Sequence, residues 1–116
     1  MKDNRNDAVD FGKLHKAITA RILDGAGTAS YSQRRAAFDN AGLAGALATL
    51  IDKVARCAYK VTDEDVTAAK TSGATEDQIF ELVVCAAVGA ATRQYDGALS
   101  VLVSVLNEKG GGGYAP

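Results

Sequence analysis

At 116 residues and 12.0 kDa the chain has the size of one domain and the length for one modest core. Its 13 basic and 14 acidic residues leave a net charge of -1, so no cationic excess is present to neutralise phosphates, and a nucleic-acid role is excluded. The longest apolar run, Leu82 to Ala91, is about half of what a bilayer span needs, which excludes a membrane helix. The charged opening "MKDNRNDAVD" has no apolar segment behind it, and two cysteines make no disulfide framework. A cytoplasmic protein with reduced thiols is expected.

The only proline is Pro116, alanine is abundant, and no β-branched residues alternate with polar ones, so an all-α fold is expected. Phe11, Leu14, Ile18 and Ile22 form one apolar stripe on a first helix predicted from Asp7 to about Leu23, with Gly25 suited to the left-handed position after it. Ser30 and Gln33 form a capping box that opens a short helix ending near Asn40 to Gly42. Leu43, Leu47, Leu50, Ile51 and Val54 predict a third helix from Leu43 to Tyr59. Thr62 is the N-cap of a fourth, with Asp63, Glu64 and Asp65 in its first turn and Gly73 past its end. A second capping box, Thr75 with Gln78, opens a long helix from Glu76 to Leu106. Its middle, "LVVCAAVGAA", is apolar all round and should be the buried centre. Its second half, with Ala98, Leu99, Leu102, Val105 and Leu106, is amphipathic and suited to cover a partner subunit. The expectation is a bundle of four to five helices over residues 1–109 with a long central C-terminal helix, followed by a flexible Gly-rich tail over 110–116.

One segment, "VARCAYKVTDEDVTAAKTSGATEDQIFELVVCAAVGAATRQYDGAL", places a cysteine, a lysine and three acids at a helix junction and then runs into the alanine-rich helix. Residues 45–106 resemble the carboxymuconolactone decarboxylase family, which includes the alkylhydroperoxidase-D-like proteins. "AAKTSG" and "ATEDQIFELVVCAAVGAATR" carry the likeness, with "LDGAGTASYSQRRAA" similar to the lead-in of small members. The resemblance implies an alkylhydroperoxidase-D-like helical fold and assembly into a homo-oligomer, a trimer or hexamer. It also implies a peroxidase mechanism in which paired cysteines attack a hydroperoxide and close a disulfide. This chain departs from that motif. With Cys57 set on the family's first cysteine, Lys60 stands where the second belongs and Glu64 where the histidine belongs.

Two functional readings follow. In one, the protein lacks the full peroxidase motif and serves as a non-catalytic or altered oligomeric binding or assembly protein, open to a small-molecule ligand. In the other it is a thiol peroxidase-type oxidoreductase using Cys57, with Lys60 and Glu64 assisting and Cys85 as a resolving thiol. Against the second, Cys57 lies at a helix C-terminus, where the dipole disfavours a thiolate, and Cys85 lies in the apolar run, where burial does the same. Cys57 as a small packing residue and the acids as helix caps are the simpler readings.

Glu81 borders the apolar run and needs a partner. Arg93 is three turns away, so the two cannot meet within one helix; structural pairing elsewhere is expected, with a subunit interface as one place for it. Arg34 and Arg35 read as a solvated helix face. Tyr31, Tyr59 and Tyr95 read as boundary residues. His15, the single histidine, has no ligating cluster near it, so neither a metal nor a cofactor is expected.

Overall fold

The computed structural model describes residues 10–110; the start of the first predicted helix and the tail from residue 111 lie outside them. The described residues form five α-helices and no strand. They are α1 (Phe11–Asp24), α2 (Tyr31–Asp39), α3 (Gly45–Cys57), α4 (Asp63–Thr71) and α5 (Glu76–Gly110), with a single 3-10 turn, Ala58–Lys60, between α3 and α4.

Local chemistry sets most of the boundaries. Ser30 Oγ accepts from Gln33 N at 3.1 Å, and Gln33 Oε1 accepts from Ser30 N at 3.3 Å, closing the expected box on α2. Thr75 and Gln78 repeat it at 3.1 and 3.0 Å on α5. Thr62 caps α4, and Asp65 completes that box by accepting from Thr62 N at 2.9 Å. The same Asp65 carboxylate takes Lys53 Nζ at 2.9 and 3.0 Å, tying α4 to α3.

Some features differ from expectation, among them α5, which runs on past Leu106 to Gly110. α1 is capped by Asp10, which is extended and whose carboxylate accepts from Lys13 N at 3.0 Å; the predicted start at Asp7 lies outside the described residues. Gly25 is extended, not left-handed. A Cβ there would run into the Arg21 carbonyl, so it is space rather than a positive φ that selects glycine. α3 starts at Gly45 because Gly42 and Gly45 hold φ of 100° and 65°, and it tightens into the 3-10 turn after Cys57 instead of reaching Tyr59.

The core sits where α2 and α3 cross the first half of α5. Phe38 and Ala37 of α2, Ile51 of α3, and Leu82, Cys85 and Ala86 of α5 are buried together. A second cluster of Leu50, Ala69 and Ile79 joins α3, α4 and α5. The helices approach most closely at Gly89, where a Cβ would overlap the Phe38 backbone carbonyl. Arg93, one turn on, donates from Nη1 to that same carbonyl at 2.6 Å and so caps the end of α2.

The middle of α5 is only partly enclosed: Leu82, Cys85, Ala86 and Gly89 are buried, while Ala87 and Ala91 face solvent. Beyond Thr92 the described side chains of α5 are exposed. The helix has 35 residues, about 52 Å of length. The radius of gyration is 18.7 Å against about 13 Å for a compact chain of this size. The second half of α5 therefore projects from the body. No helix among the described residues is long and apolar enough to cross a membrane.

Candidate functional site

Cys57 is the last residue of α3 and is half-buried. Its neighbours in sequence turn to other tasks. Lys60 lies 5.9 Å from the Tyr59 ring centroid, on an exposed turn. Glu64 is exposed in the first turn of α4, where its charge suits the helix dipole. Among the described residues no hydrogen bond or ion pair joins Cys57 to Lys60 or Glu64. Asp65 is the acid of the three that takes a structural role: the Lys53 ammonium, and then the Thr62 N–H, hold its carboxyl below the usual range.

Cys85 is enclosed in the core and free, its Sγ 3.9 Å from the Ile22 carbonyl. Burial pushes its thiol up, with the Arg34 charge acting against that push. Cys57 is thus the solvent-reachable thiol and Cys85 the shielded one.

Two arrangements went unread in the sequence. The first is a latch on the Gly25–Ser30 loop. Arg34 is not on a solvated face: it is 6% exposed, the one charged residue buried among those described. Its Nε donates to the Ala29 carbonyl at 3.0 Å, and its Nη1 donates to Leu23 at 3.3 Å and to the Gly25 carbonyl. Glu81 faces it at 3.7 Å, so the acid finds its partner within the chain rather than across a subunit interface. Glu81 also accepts from Thr28 N, Ala29 N and Thr28 Oγ1 at 2.9, 2.9 and 3.0 Å. The Thr28 and Ala29 amides hold its carboxyl below the usual range. The loop backbone presses so close that a Cβ on Gly27 would lie 2.5 Å from Glu81 Oε1. The one signal in the sequence was Glu81 at the edge of the apolar run, a carboxylate in need of a partner. This is a fold-holding device, with Arg34 Nε and Nη1 spent on loop carbonyls and the Glu81 carboxylate on loop amides.

The second arrangement is a seam between α1 and α5. Thr92 Oγ1 donates to the Val88 carbonyl at 2.7 Å, which spends its proton, so His15 Nε2 is the donor in the 2.7 Å contact with that oxygen. The His15 ring also stacks on Tyr95, centroids 6.1 Å apart. A shallow cleft of about 220 Å³ lies here, lined by Leu14, His15, Ile18 and Tyr95. The stripe of α1 is therefore turned toward this open edge, with Leu14 and Ile18 exposed and Leu23 carrying the burial. Past Tyr95 the stripe on α5 continues as Leu99, Leu102 and Leu106, all uncovered. No group of three His, Cys, Asp or Glu among the described residues is placed to hold a metal ion. No known family profile, curated protein or solved structure matches this chain.

Proposed function

We propose that the protein is a non-catalytic helical assembly protein, carboxymuconolactone-decarboxylase-like in plan but without the full peroxidase motif, that works as a homo-oligomer in the cytoplasm. The observation that supports this is the projecting half of α5, where Tyr95, Leu99, Leu102 and Leu106 are each 44 to 57% exposed. Leucines in a continuous stripe are costly to leave in water, and covering one that is already half-buried is worth roughly 0.7–1.5 kcal/mol. Light scattering on the purified chain should give a multiple of 12.0 kDa. The variant Leu102→Lys/Leu106→Lys should keep its helical circular dichroism and associate at least about a hundredfold more weakly, since each pair of chains loses both leucines from both copies. A wild type that stays monomeric at micromolar concentration sinks the reading.

The exposure of Cys57 favours a second reading, a thiol that consumes hydroperoxide. The thiolate sulfur would take the terminal oxygen of an organic hydroperoxide, the O–O bond would break, and the alkoxide would leave as an alcohol after protonation by water. Intact mass after brief exposure to one equivalent of hydroperoxide separates the readings. On the assembly reading the wild type gains no oxygen and loses no hydrogens on that timescale. Rapid gain of one oxygen, absent in Cys57→Ser, would instead make this residue a working thiol.

A further inference from the structure

Resting on the assembly reading, we infer that the projecting half of α5 pairs with the same segment of a second copy, antiparallel about a two-fold axis, with Leu102 of each chain against Leu106 of the other. Thr92, Tyr95, Leu99, Leu102 and Leu106 recur at alternating three- and four-residue spacing, the repeat of a coiled-coil seam. This seam lies against α1 at Thr92 and Tyr95, and beyond them it is turned away from the side of α5 that packs on α2 and α3. The face that is buried in the first half, through Leu82, Ala86 and Gly89, continues in the second half as Arg93, Gly97, Ser100, Ser104 and Asn107. An apolar stripe therefore begins where the intrachain core ends, on the other side of the helix.

The covered part of the stripe sets the orientation of its next occupant. Ile22 meets Cys85 and His15 meets Thr92, seven residues down one helix and seven up the other, so α1 lies antiparallel on α5. On that register Phe11, where α1 starts, falls level with Asp96. The stripe runs on for about three turns beyond that point. Residues 1–9, "MKDNRNDAV", carry apolar side chains at Met1, Ala8 and Val9 alone, with no two of them at three- or four-residue spacing to make a stripe of their own. A second α5 entering antiparallel takes up the line of α1 and extends it. Entering parallel, it would bring its own α1 to the level of the first, and the two would hold the stripes apart.

Charge and register agree with self-pairing. No charged residue occurs from Gly97 to Asn107, so two copies bring no like charges together along the seam. Setting Leu102 against Leu106 keeps the described part of the partner's α5, which runs to Gly110, short of α1. Sliding it one heptad, to Leu99 against Leu102, would drive its last turns into α1. A two-fold pair of this kind implies an even number of copies, a dimer or a hexamer built from dimers rather than a trimer.

Single cysteines placed in a Cys57→Ser background test the orientation, with Cys85 shielded in the core. Leu102→Cys and Leu106→Cys are oxidised separately and as an equilibrated mixture, and disulfide-linked dimer is read on a non-reducing gel. Linkage needs Cα atoms within roughly 7 Å, so the mixture should give about tenfold more linked dimer than either protein alone. Equal self-linkage of each variant would mean parallel pairing and overturn the inference. An oligomer by mass that fails to link in any combination overturns it too, with another face as the interface. A monomer by mass overturns the assembly reading itself.

Discussion

Arg34→Met should lower the unfolding free energy by about 3 kcal/mol at neutral pH, the scale of breaking a buried charged network while leaving one partner behind. The side chain is of similar length, so the loss is one of donors rather than of volume. Four carbonyls, those of Ile22, Leu23, Gly25 and Ala29, lose the group that turns them inward, and Glu81 faces the loop without its counter-charge. A domain of this size holds roughly 5–15 kcal/mol in total, so the urea midpoint should fall visibly. The acid limb gives the finer reading. Glu81 is held below its ordinary value in the folded chain, first by the Thr28 and Ala29 amides and only then by Arg34. A depressed folded value contributes stability that is present above the unfolded pKa and lost as pH falls through the folded one. The gap between wild type and variant should therefore be widest at neutral pH and narrow below about pH 4.3, where an unfolded glutamate protonates. Equal midpoints for the two proteins at neutral pH would mean that the latch carries no stability.

The helices were legible because their ends are written in short-range chemistry. Ser30 with Gln33, Thr62, and Thr75 with Gln78 each name a backbone donor within one turn, and the structure places each cap as expected. The need of Glu81 for a partner was legible too, since a carboxylate at the edge of an apolar run must be neutralised. Its partner was not. Arg34 sits on a nine-residue helix with little apolar periodicity, and only the wrap of the Gly25–Ser30 loop turns it inward. The chemistry around Cys57 divides similarly. Its place at the end of α3 follows from the sequence, whereas the turn of Lys60 toward Tyr59 depends on a 3-10 geometry that no spacing encodes. The exposed stripe on α5 could be read as amphipathic from Leu99, Leu102 and Leu106. That it faces away from the body could not, because this depends on which side α2 and α3 occupy.

Two glycines on the same helix should respond to alanine with opposite signs. Both Gly89 and Gly97 lie inside α5, where alanine is favoured over glycine by about 1 kcal/mol on helix propensity alone. Gly97 has no atom within 4 Å of an added Cβ, so Gly97→Ala should realise most of that gain and raise the midpoint. At Gly89 the Cβ would overlap the Phe38 carbonyl, with the Phe38 carbon 2.7 Å away, and backbone cannot rotate aside as a side chain can. Relief requires α2 to move off α5, and that movement lengthens the 2.6 Å bond from Arg93 to the same carbonyl. Overpacking of this kind costs roughly 1–3 kcal/mol, and the lost hydrogen bond to a charged group roughly 1.5–3 more. Set against the propensity gain, Gly89→Ala should destabilise by about 1.5–5 kcal/mol, a shift readable in the thermal midpoint. If both variants rose together, propensity alone would govern this helix and the close crossing at Phe38 would carry no constraint. If Gly89→Ala falls while Gly97→Ala rises, the crossing is what fixes α2 against α5. The same crossing then determines which face of α5 is left to solvent beyond Thr92.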